Sequence, residues 1–460
     1  MKDNNKNLPV IKNKNYEMTI DDIGINGEGI GKIDGYTLFV EGALPNEVIE
    51  VKVVKTRKNF GFGKLINIIK PSEERQQPVC KIAKRCGGCQ LQHLSYKAQL
   101  QYKRKKVQDV IERIGNITDV QVKETIGMEE PYYYRNKVQF PVGKSIEGDV
   151  TIGFYSMRSH HIVTTDKCYI QDSINEEIIS KIKSFIINNN IKAYDEKTHR
   201  GLIRHIVTRT SHHSQEIMVG IVINGDKIPN EKKLVDSLKE IDRVTGIFIS
   251  INKEKTNVIM GDKINILWGK SHLIDYIGDT AYKISPLSFY QVNPIQTYKL
   301  YSKTLEYADL IGDEVVWDAY CGIGTISLFI ANKCKKVLGV EIVPQAIEDA
   351  KENAKMNNIT NAEFYTGKAE QVITDKYKEG IKADVIIVDP PRKGCDTELL
   401  DTIIKMQPNK VVYVSCDPAT MARDVKILGE GGYRVEMIQP VDMFPQTVHV
   451  ECCVKLIRKD

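Results

Sequence analysis

Apolar and polar residues alternate along this chain in three successive regimes. From about Val10 to Lys70, short β-rich runs such as EMTIDDIGINGEGIGKI, YTLFVEGALPNEVIEVKVV and FGFGKLINII are joined by glycine-containing turns, which predicts a small five-stranded barrel. Pro71 to Pro78 (PSEERQQP) is polar with proline at each end and marks a linker. Ser95 then predicts the cap of a helix whose apolar residues Leu100, Val107, Val110, Ile111 and Ile114 recur at helical spacing, with Gly115 as the stop. Lys103, Arg104, Lys105 and Lys106 fall on its other, solvated face.

From about 120 to 280, short strands (KVQFPVG, VTIGFY, HIVTRT, EIMVGIVI, GIFISIN, NVIMGD) accompany one helix near Ile174 to Asn188. This predicts an α+β middle region. From about Tyr282 strands alternate with helices: EVVWDAY, KKVLGVEI, AEFYTG, ADVIIVDPP, KVVYVSC, YRVEMIQPV and ECCVKLIRK. That alternation predicts an α/β, doubly wound, Rossmann-like sheet. The expected domains are therefore 8–70, 71–280 and 281–460.

The 460 residues, 42% apolar and 27% charged, suffice to bury several cores. No apolar run approaches the roughly 18 residues of a membrane span, and the opening MKDNNKNLPV lacks the apolar stretch of a secretory signal. The expectation is a cytoplasmic protein without a membrane partner. Net charge is +5, but residues 80 to 110 hold eight Lys or Arg against one Asp. Such local excess suits an RNA backbone, with a solvated helix face as the plainer reading. In a reducing compartment the ten cysteines are read by spacing, as chemistry and not as disulfides.

The strand EVVWDAY runs into CGIG and an apolar helix, so Gly322 and Gly324 sit where a tight turn brings backbone close to a nucleotide-like ligand. A dinucleotide site wants a third glycine where Ser327 stands, which leaves the cofactor open at this point. Glu341, about 20 residues on, can accept hydrogen bonds from two ribose hydroxyls. Asp389-Pro390-Pro391-Arg392 ends the fourth strand at the ligand-binding edge of the sheet. A Pro-Pro loop there suggests a base-modifying methyltransferase, and Arg392, in place of a stacking aromatic, disfavours amino-group methylation.

The fifth strand delivers Cys416 to the same edge, followed by Asp417 and Pro418 at a helix start. Carbon 5 of uracil is too weak a nucleophile to accept a methyl group unaided, but a thiolate added at C6 makes it an enolate carbon. A helix N-terminus beside Cys416 would favour that thiolate. The C5 proton must then leave to a carboxylate. Glu451 is the candidate, with His449 two residues earlier as the alternative.

The motifs FYQVN, DAYCGIG, DPPRKGC, SCDP and HVE, in this order over about 170 residues, resemble the TrmA/RumA family of RNA uracil-5-methyltransferases. The first 70 residues look like a TRAM domain, an OB-like barrel. The resemblance implies Cys416 as nucleophile, Glu451 as proton acceptor, and Gln291, Tyr320, Glu341 and Asp389 as ligands of S-adenosylmethionine. It also implies Phe289 beside the target base. Thr325 and Lys368 stand where some relatives carry cofactor-touching Asn residues; Thr325 is expected still to bond the cofactor and Lys368 is not.

Cys80, Cys86 and Cys89 are spaced by five and then two residues, with 78 residues between Cys89 and Cys168. Four thiolates suit zinc or iron-sulfur; three clustered plus one distant favour a [4Fe-4S] cluster in the middle domain, as does the resemblance. The spacing differs from that of radical S-adenosylmethionine enzymes, so the expected role is structural or RNA-docking. Cys321, Cys334, Cys395, Cys452 and Cys453 read as packing. In YYYRNKVQF, Arg135 and Lys137 are the candidate RNA contacts, while Tyr132 to Tyr134 could equally face the core.

The expected protein is thus a monomeric RNA uracil-5-methyltransferase acting on an extruded loop uracil, with 23S rRNA as substrate because of the TRAM-like barrel and the four cysteines. A tRNA T-loop uracil is the alternative. An inactive RNA-binding or assembly protein and an iron-sulfur redox enzyme are more remote.

Overall fold

The period-two runs of the first 70 residues close on themselves. In the computed structural model, which describes residues 8–145 and 147–459, β1 (Asn15–Ile23), β2 (Gly29–Ile33), β3 (Tyr36–Glu41), β4 (Val48–Thr56) and β5 (Phe60–Lys70) form a closed barrel in the order β1-β2-β3-β5-β4. Every second residue points inward, so Met18, Ile20, Leu38, Val40, Ile49, Val51 and Val53 fill the interior. Residues 1–7, on which the expected lack of a leader partly rests, lie outside the described residues.

Helix α1 (Tyr96–Arg113) starts where expected: Ser95 Oγ accepts from Ala98 N at 3.2 Å. Its apolar face buries Val107 and Ile111 against the C-terminal sheet domain, next to α9 and β20 (below), and not against a core of its own. One expectation fails here. Lys103 is fully buried, because its ammonium group reaches Asp442 and also donates to the Phe444 carbonyl at 3.0 Å.

The middle region is one seven-stranded sheet, β12-β11-β10-β9-β6-β7-β8. Its strands are β6 (Lys137–Lys144), β7 (Val150–Tyr155), β8 (Ile162–Thr164), β9 (Ile203–Thr210), β10 (Ile217–Ile223), β11 (Val244–Ile251) and β12 (Lys263–Gly269). Helices α2 (Ile174–Asn188) and α3 (Glu231–Leu238) pack on it; the short α3 was not anticipated. The expected strand NVIMGD is irregular, and the pairing strand starts at Lys263. Asn252 Nδ2 claims the carbonyls of Val258 and Ile259 at 2.7 and 3.0 Å, which closes a loop and takes those acceptors from any ladder.

A hairpin, β13 (Leu273–Ile277) with β14 (Thr280–Ile284), and α4 (Pro294–Ala308) lead into the last sheet. Its strands are β15 (Val315–Ala319), β16 (Lys336–Glu341), β17 (Ala362–Thr366), β18 (Val385–Val388), β19 (Lys410–Ser415), β20 (Tyr433–Val441) and β21 (Glu451–Arg458). Helices α5 (Thr325–Ile330), α6 (Pro344–Met356), α7 (Ala369–Lys378), α8 (Thr397–Met406) and α9 (Pro418–Glu430) connect them. The order is β17-β16-β15-β18-β19-β21-β20, with β15 to β19 parallel and β21 antiparallel between β19 and β20. Among the described residues, no helix is long and apolar enough to cross a membrane.

Candidate active site

The strand register builds the site. Ser415 of β19 pairs with Cys452 of antiparallel β21, so the next step along both chains sets Cys416 across from Glu451. The parallel neighbour β18 ends just before Asp389. All three line one cavity of about 1120 Å³ at the C-terminal edge of the parallel strands.

Its walls include every cofactor candidate: Gln291, Tyr320, Thr325, Glu341 and Asp389. The turn after β15 has positive φ at Tyr320 (69°), Gly322 (56°) and Gly324 (81°), which brings the chain close to any ligand in front of it. Glu341 is fixed at the end of β16 by Gly322 N at 3.3 Å and Val343 N at 2.9 Å. Thr325 Oγ1 bonds Tyr301 OH at 3.0 Å, and the Gln291 carbonyl accepts from Asn136 Nδ2 at 3.0 Å. Asn136 was not singled out in the sequence. Lys368 lines the cavity as well.

Electrostatics tie the chemical end together. Burial, reinforced by Asp389 and opposed by Arg392, pushes the Glu451 carboxyl up to about 8. Burial raises Asp389 to about 6. Burial, with Glu451 and Asp389 adding to it and Arg392 opposing, lifts the Cys416 thiol to about 11. At the start of α9, Asp417 Oδ1 accepts from Ala419 N at 2.9 Å and Thr420 N at 3.2 Å, and burial is the largest cause of the raised Cys416 thiol.

Arg392 emerges as the cation facing both thiol and carboxyl, a role its sequence position alone did not reveal. Its loop is tied to α9: Thr420 Oγ1 donates to Arg392 O at 3.1 Å, Arg423 Nη2 to Lys393 O at 3.0 Å, and Cys395 N to Asp424 Oδ2 at 2.8 Å. His449, exposed, borders the same cavity, whereas Glu451 is buried within it.

Phe289 (68% exposed) and Arg135 stand in the cavity wall. Lys137 does not; on β6 it pairs with Arg209, and burial plus the charges of Arg209 and Arg135 lower it to about 7. Tyr134 is a core residue, its OH donating to Pro445 O at 3.1 Å, while Tyr133 is exposed.

Cys80, Cys86, Cys89 and Cys168 come together from the 80–89 loop and the approach to α2. Burial, with the neighbouring cysteine charges adding to it, pushes Cys89 to about 12 and Cys168 to about 11. None is in a disulfide. Among the described residues, no three His, Cys, Asp or Glu side chains are close enough to hold a single metal ion.

A Rossmann-like sheet of this order, with a deep cavity at the C-terminal edge of its parallel strands, is the fold of S-adenosylmethionine-dependent methyltransferases. The family model described as tRNA (uracil-5-)-methyltransferase matches residues 95–459, and the TRAM domain model matches residues 9–66. The chain belongs to this family of S-adenosylmethionine-dependent RNA (uracil-5-)-methyltransferases, as the motif resemblance implied.

An uncharacterized RNA methyltransferase of Clostridium tetani is 53% identical over 98% of this chain and 97% of its own. One of Clostridium acetobutylicum is 52% identical over 99% of both chains. The crystal structure of the Pyrococcus abyssi tRNA (uracil-54, C5)-methyltransferase in complex with S-adenosyl-L-homocysteine is 30% identical, covers 96% of this chain and 99% of that one, and superposes with a TM-score of 0.78.

Proposed function

We propose that this protein makes 5-methyluridine in 23S rRNA, with Cys416 as nucleophile and Glu451 as general base. The observation that carries the chemical part of this reading is the meeting of Cys416, Glu451 and Asp389 in one cavity, with Arg392 beside the first two; the choice of 23S rRNA rests on the TRAM domain and the four cysteines.

Cys416 gives up its proton to solvent and adds, as thiolate, to C6 of an extruded uracil; the C5–C6 π pair moves toward O4 as an enolate. Arg392 stabilises the thiolate and lowers the carboxyl of Glu451. S-adenosylmethionine, when bound, supplies an electrophilic methyl on a cationic sulfur. C5 takes that methyl as the donor's S–CH3 bond breaks and the donor leaves as S-adenosyl-L-homocysteine; Glu451 removes the C5 proton, the C5–C6 double bond returns, and the C6–S bond breaks to release Cys416 as thiolate. Gln291, Tyr320, Thr325, Glu341 and Asp389 would hold the donor, and Phe289 would flank the base. Arg135 would contact RNA at the rim, with Lys137 behind it.

The cluster is part of the proposal. Cys80, Cys86, Cys89 and Cys168, three clustered in sequence and one distant, would hold a [4Fe-4S] group, which would supply a structural or RNA-docking role. Cys168 also borders the main cavity, which would couple the cluster to RNA docking. We place the enzyme in the cytoplasm, acting as a monomer.

A tRNA uracil is the second reading, favoured by the likeness to the Pyrococcus abyssi tRNA (uracil-54, C5)-methyltransferase. Mapping 5-methyluridine by mass spectrometry in rRNA and tRNA from cells lacking the gene decides between them. Loss from 23S rRNA supports the first reading, loss from tRNA alone the second, and loss from neither overturns both.

A further inference from the structure

Helix α9 touches two parts of the chemistry at once. It starts two residues after Cys416, and its first two turns meet the loop that carries Arg392. At the centre of this meeting is Asp424, whose side chain is fully buried. Its Oδ2 accepts from Tyr413 OH at 2.6 Å and from Cys395 N at 2.8 Å, and its Oδ1 accepts from Arg423 Nε at 2.8 Å. Tyr413 lies on β19, three residues before Cys416, and Cys395 follows Arg392 by three. One carboxylate thus ties strand, helix and loop together.

The loop is shaped around that carboxylate. Gly394 has a φ of 81°, and its N donates to Pro391 O at 2.8 Å, closing a tight turn. A Cβ there would stand 2.5 Å from both Asp424 Oδ2 and Arg423 Nη2. The left-handed backbone and the close approach both require glycine. Thr420 Oγ1 and Arg423 Nη2, bonded to the carbonyls of Arg392 and Lys393, pin the rest of the turn to α9. Burying a carboxylate is costly, and an apolar side chain would fill the same space. What an apolar side chain cannot do is accept from a strand and a loop together.

We propose that Asp424 is a positioning residue: by gripping the 392–395 loop against β19 and α9, it holds the Arg392 guanidinium toward Cys416. The proposal rests on the reading of Cys416 as nucleophile given above and adds what keeps its counter-charge in place. Cys416 is faced by Glu451, Asp389 and Asp417, all acids, and by Arg392. Of the four, only Arg392 favours the thiolate, so a loop free to swing would leave the sulfur among carboxyls alone. Asp424 does not line the cavity itself. Its effect passes through the loop.

The test alkylates the full-length protein with iodoacetamide at about pH 9, where thiolate is the reacting form, and follows the Cys416 peptide by mass spectrometry. Losing a nearby cation raises a thiol by about one unit or more; each unit costs about tenfold in thiolate, of which the greater nucleophilicity of the more basic sulfur returns about threefold. Arg392→Gln and Asp424→Asn are each expected to slow alkylation about threefold or more. The double variant should be no slower than Arg392→Gln, because both changes remove the same cation from the sulfur. The lost charge of Asp424→Asn by itself, and any loosening of the fold around Cys416, would both speed alkylation, so slowing isolates the positioning role. Tyr413→Phe removes one bond and no charge; it should slow alkylation too, and it reads the coupling if the asparagine variant does not fold. Alkylation at or above the wild-type rate in these variants, or slowing by Asp424→Asn that multiplies with that of Arg392→Gln, overturns the proposal. Adduct formation by the wild type on RNA containing 5-fluorouridine is measured in parallel; its absence would sink the nucleophile reading and leave the alkylation result standing.

Discussion

Gln99 and Gln446 exchange two hydrogen bonds: Gln99 Nε2 donates to Gln446 Oε1 at 3.0 Å, and Gln446 N donates to Gln99 Oε1 at 3.1 Å. Both side chains are buried. Around them α1 holds the whole segment that leads into β21, through Lys103 to Asp442 and through Lys106 Nζ to Val448 O at 2.9 Å. The same helix reaches the barrel, where Tyr102 OH donates to Gly24 O at 2.9 Å. Glu451 is positioned from behind by a helix far away in sequence.

Lys103→Met should therefore destabilise the protein strongly, by about 3–5 kcal/mol, because Asp442 keeps a buried charge with no counter-ion. Lys103→Met combined with Asp442→Leu should recover much of the loss. Urea denaturation of the three proteins measures this; a double variant no more stable than the single one would contradict it.

The raised carboxyl of Glu451 gives stability a definite pH slope. Its folded value, about 8, exceeds its ordinary 4.5, so between these limits the folded state holds a proton that the unfolded state has lost. Stability contributed by the protonated carboxyl is complete below pH 4.5 and declines as pH rises toward 8. Glu451→Gln removes that decline, so the variant should gain on wild type by on the order of 3 kcal/mol more at pH 8 than at pH 5. Parallel melting curves at both pH values would refute this.

Removing either chemical group should have opposite effects on one observable. Cys416→Ala is expected to form no covalent complex with RNA containing 5-fluorouridine. Glu451→Gln is expected to accumulate an adduct on ordinary RNA, with turnover down by about 10²–10⁴. Denaturing gels resolve the complex, and equal adduct from wild type and Cys416→Ala would remove the nucleophile.

For the four gathered thiols, protein purified without oxygen should contain about four iron and four sulfide per chain. Cys89→Ser should lose both. Stoichiometric zinc with no sulfide would replace the iron-sulfur proposal by the other metal.

Parts of this architecture were legible in the sequence because local signals agreed. The parallel strands β15, β16, β18 and β19 are continuous apolar runs ended by Gly or Pro punctuation, and both Cys416 and Glu451 lie at strand ends within short motifs. Lys103 was misread because helical periodicity reports only its own helix, whereas its partner, Asp442, is 339 residues away. The 257–262 run looks like a strand until one side chain, Asn252, takes its carbonyls. Arg392 shows its importance only when loop and strand are folded against each other. The raised values at Cys416 and Glu451 come from burial in a cavity that no single segment builds.

The antiparallel placement of β21 also fixes an order of events during synthesis. Cys416 leaves the ribosome before Glu451, and α1 is made long before the segment it grips. Until residues 442–458 arrive, Lys103 lacks Asp442, β19 and β20 lack the strand that joins them, and Cys416 has no Glu451 across from it. A chain that lacks residues 442–458 thus carries Cys416 and Asp389 without the buried carboxyl that faces them, and the cavity is closed by the same strand that completes the sheet.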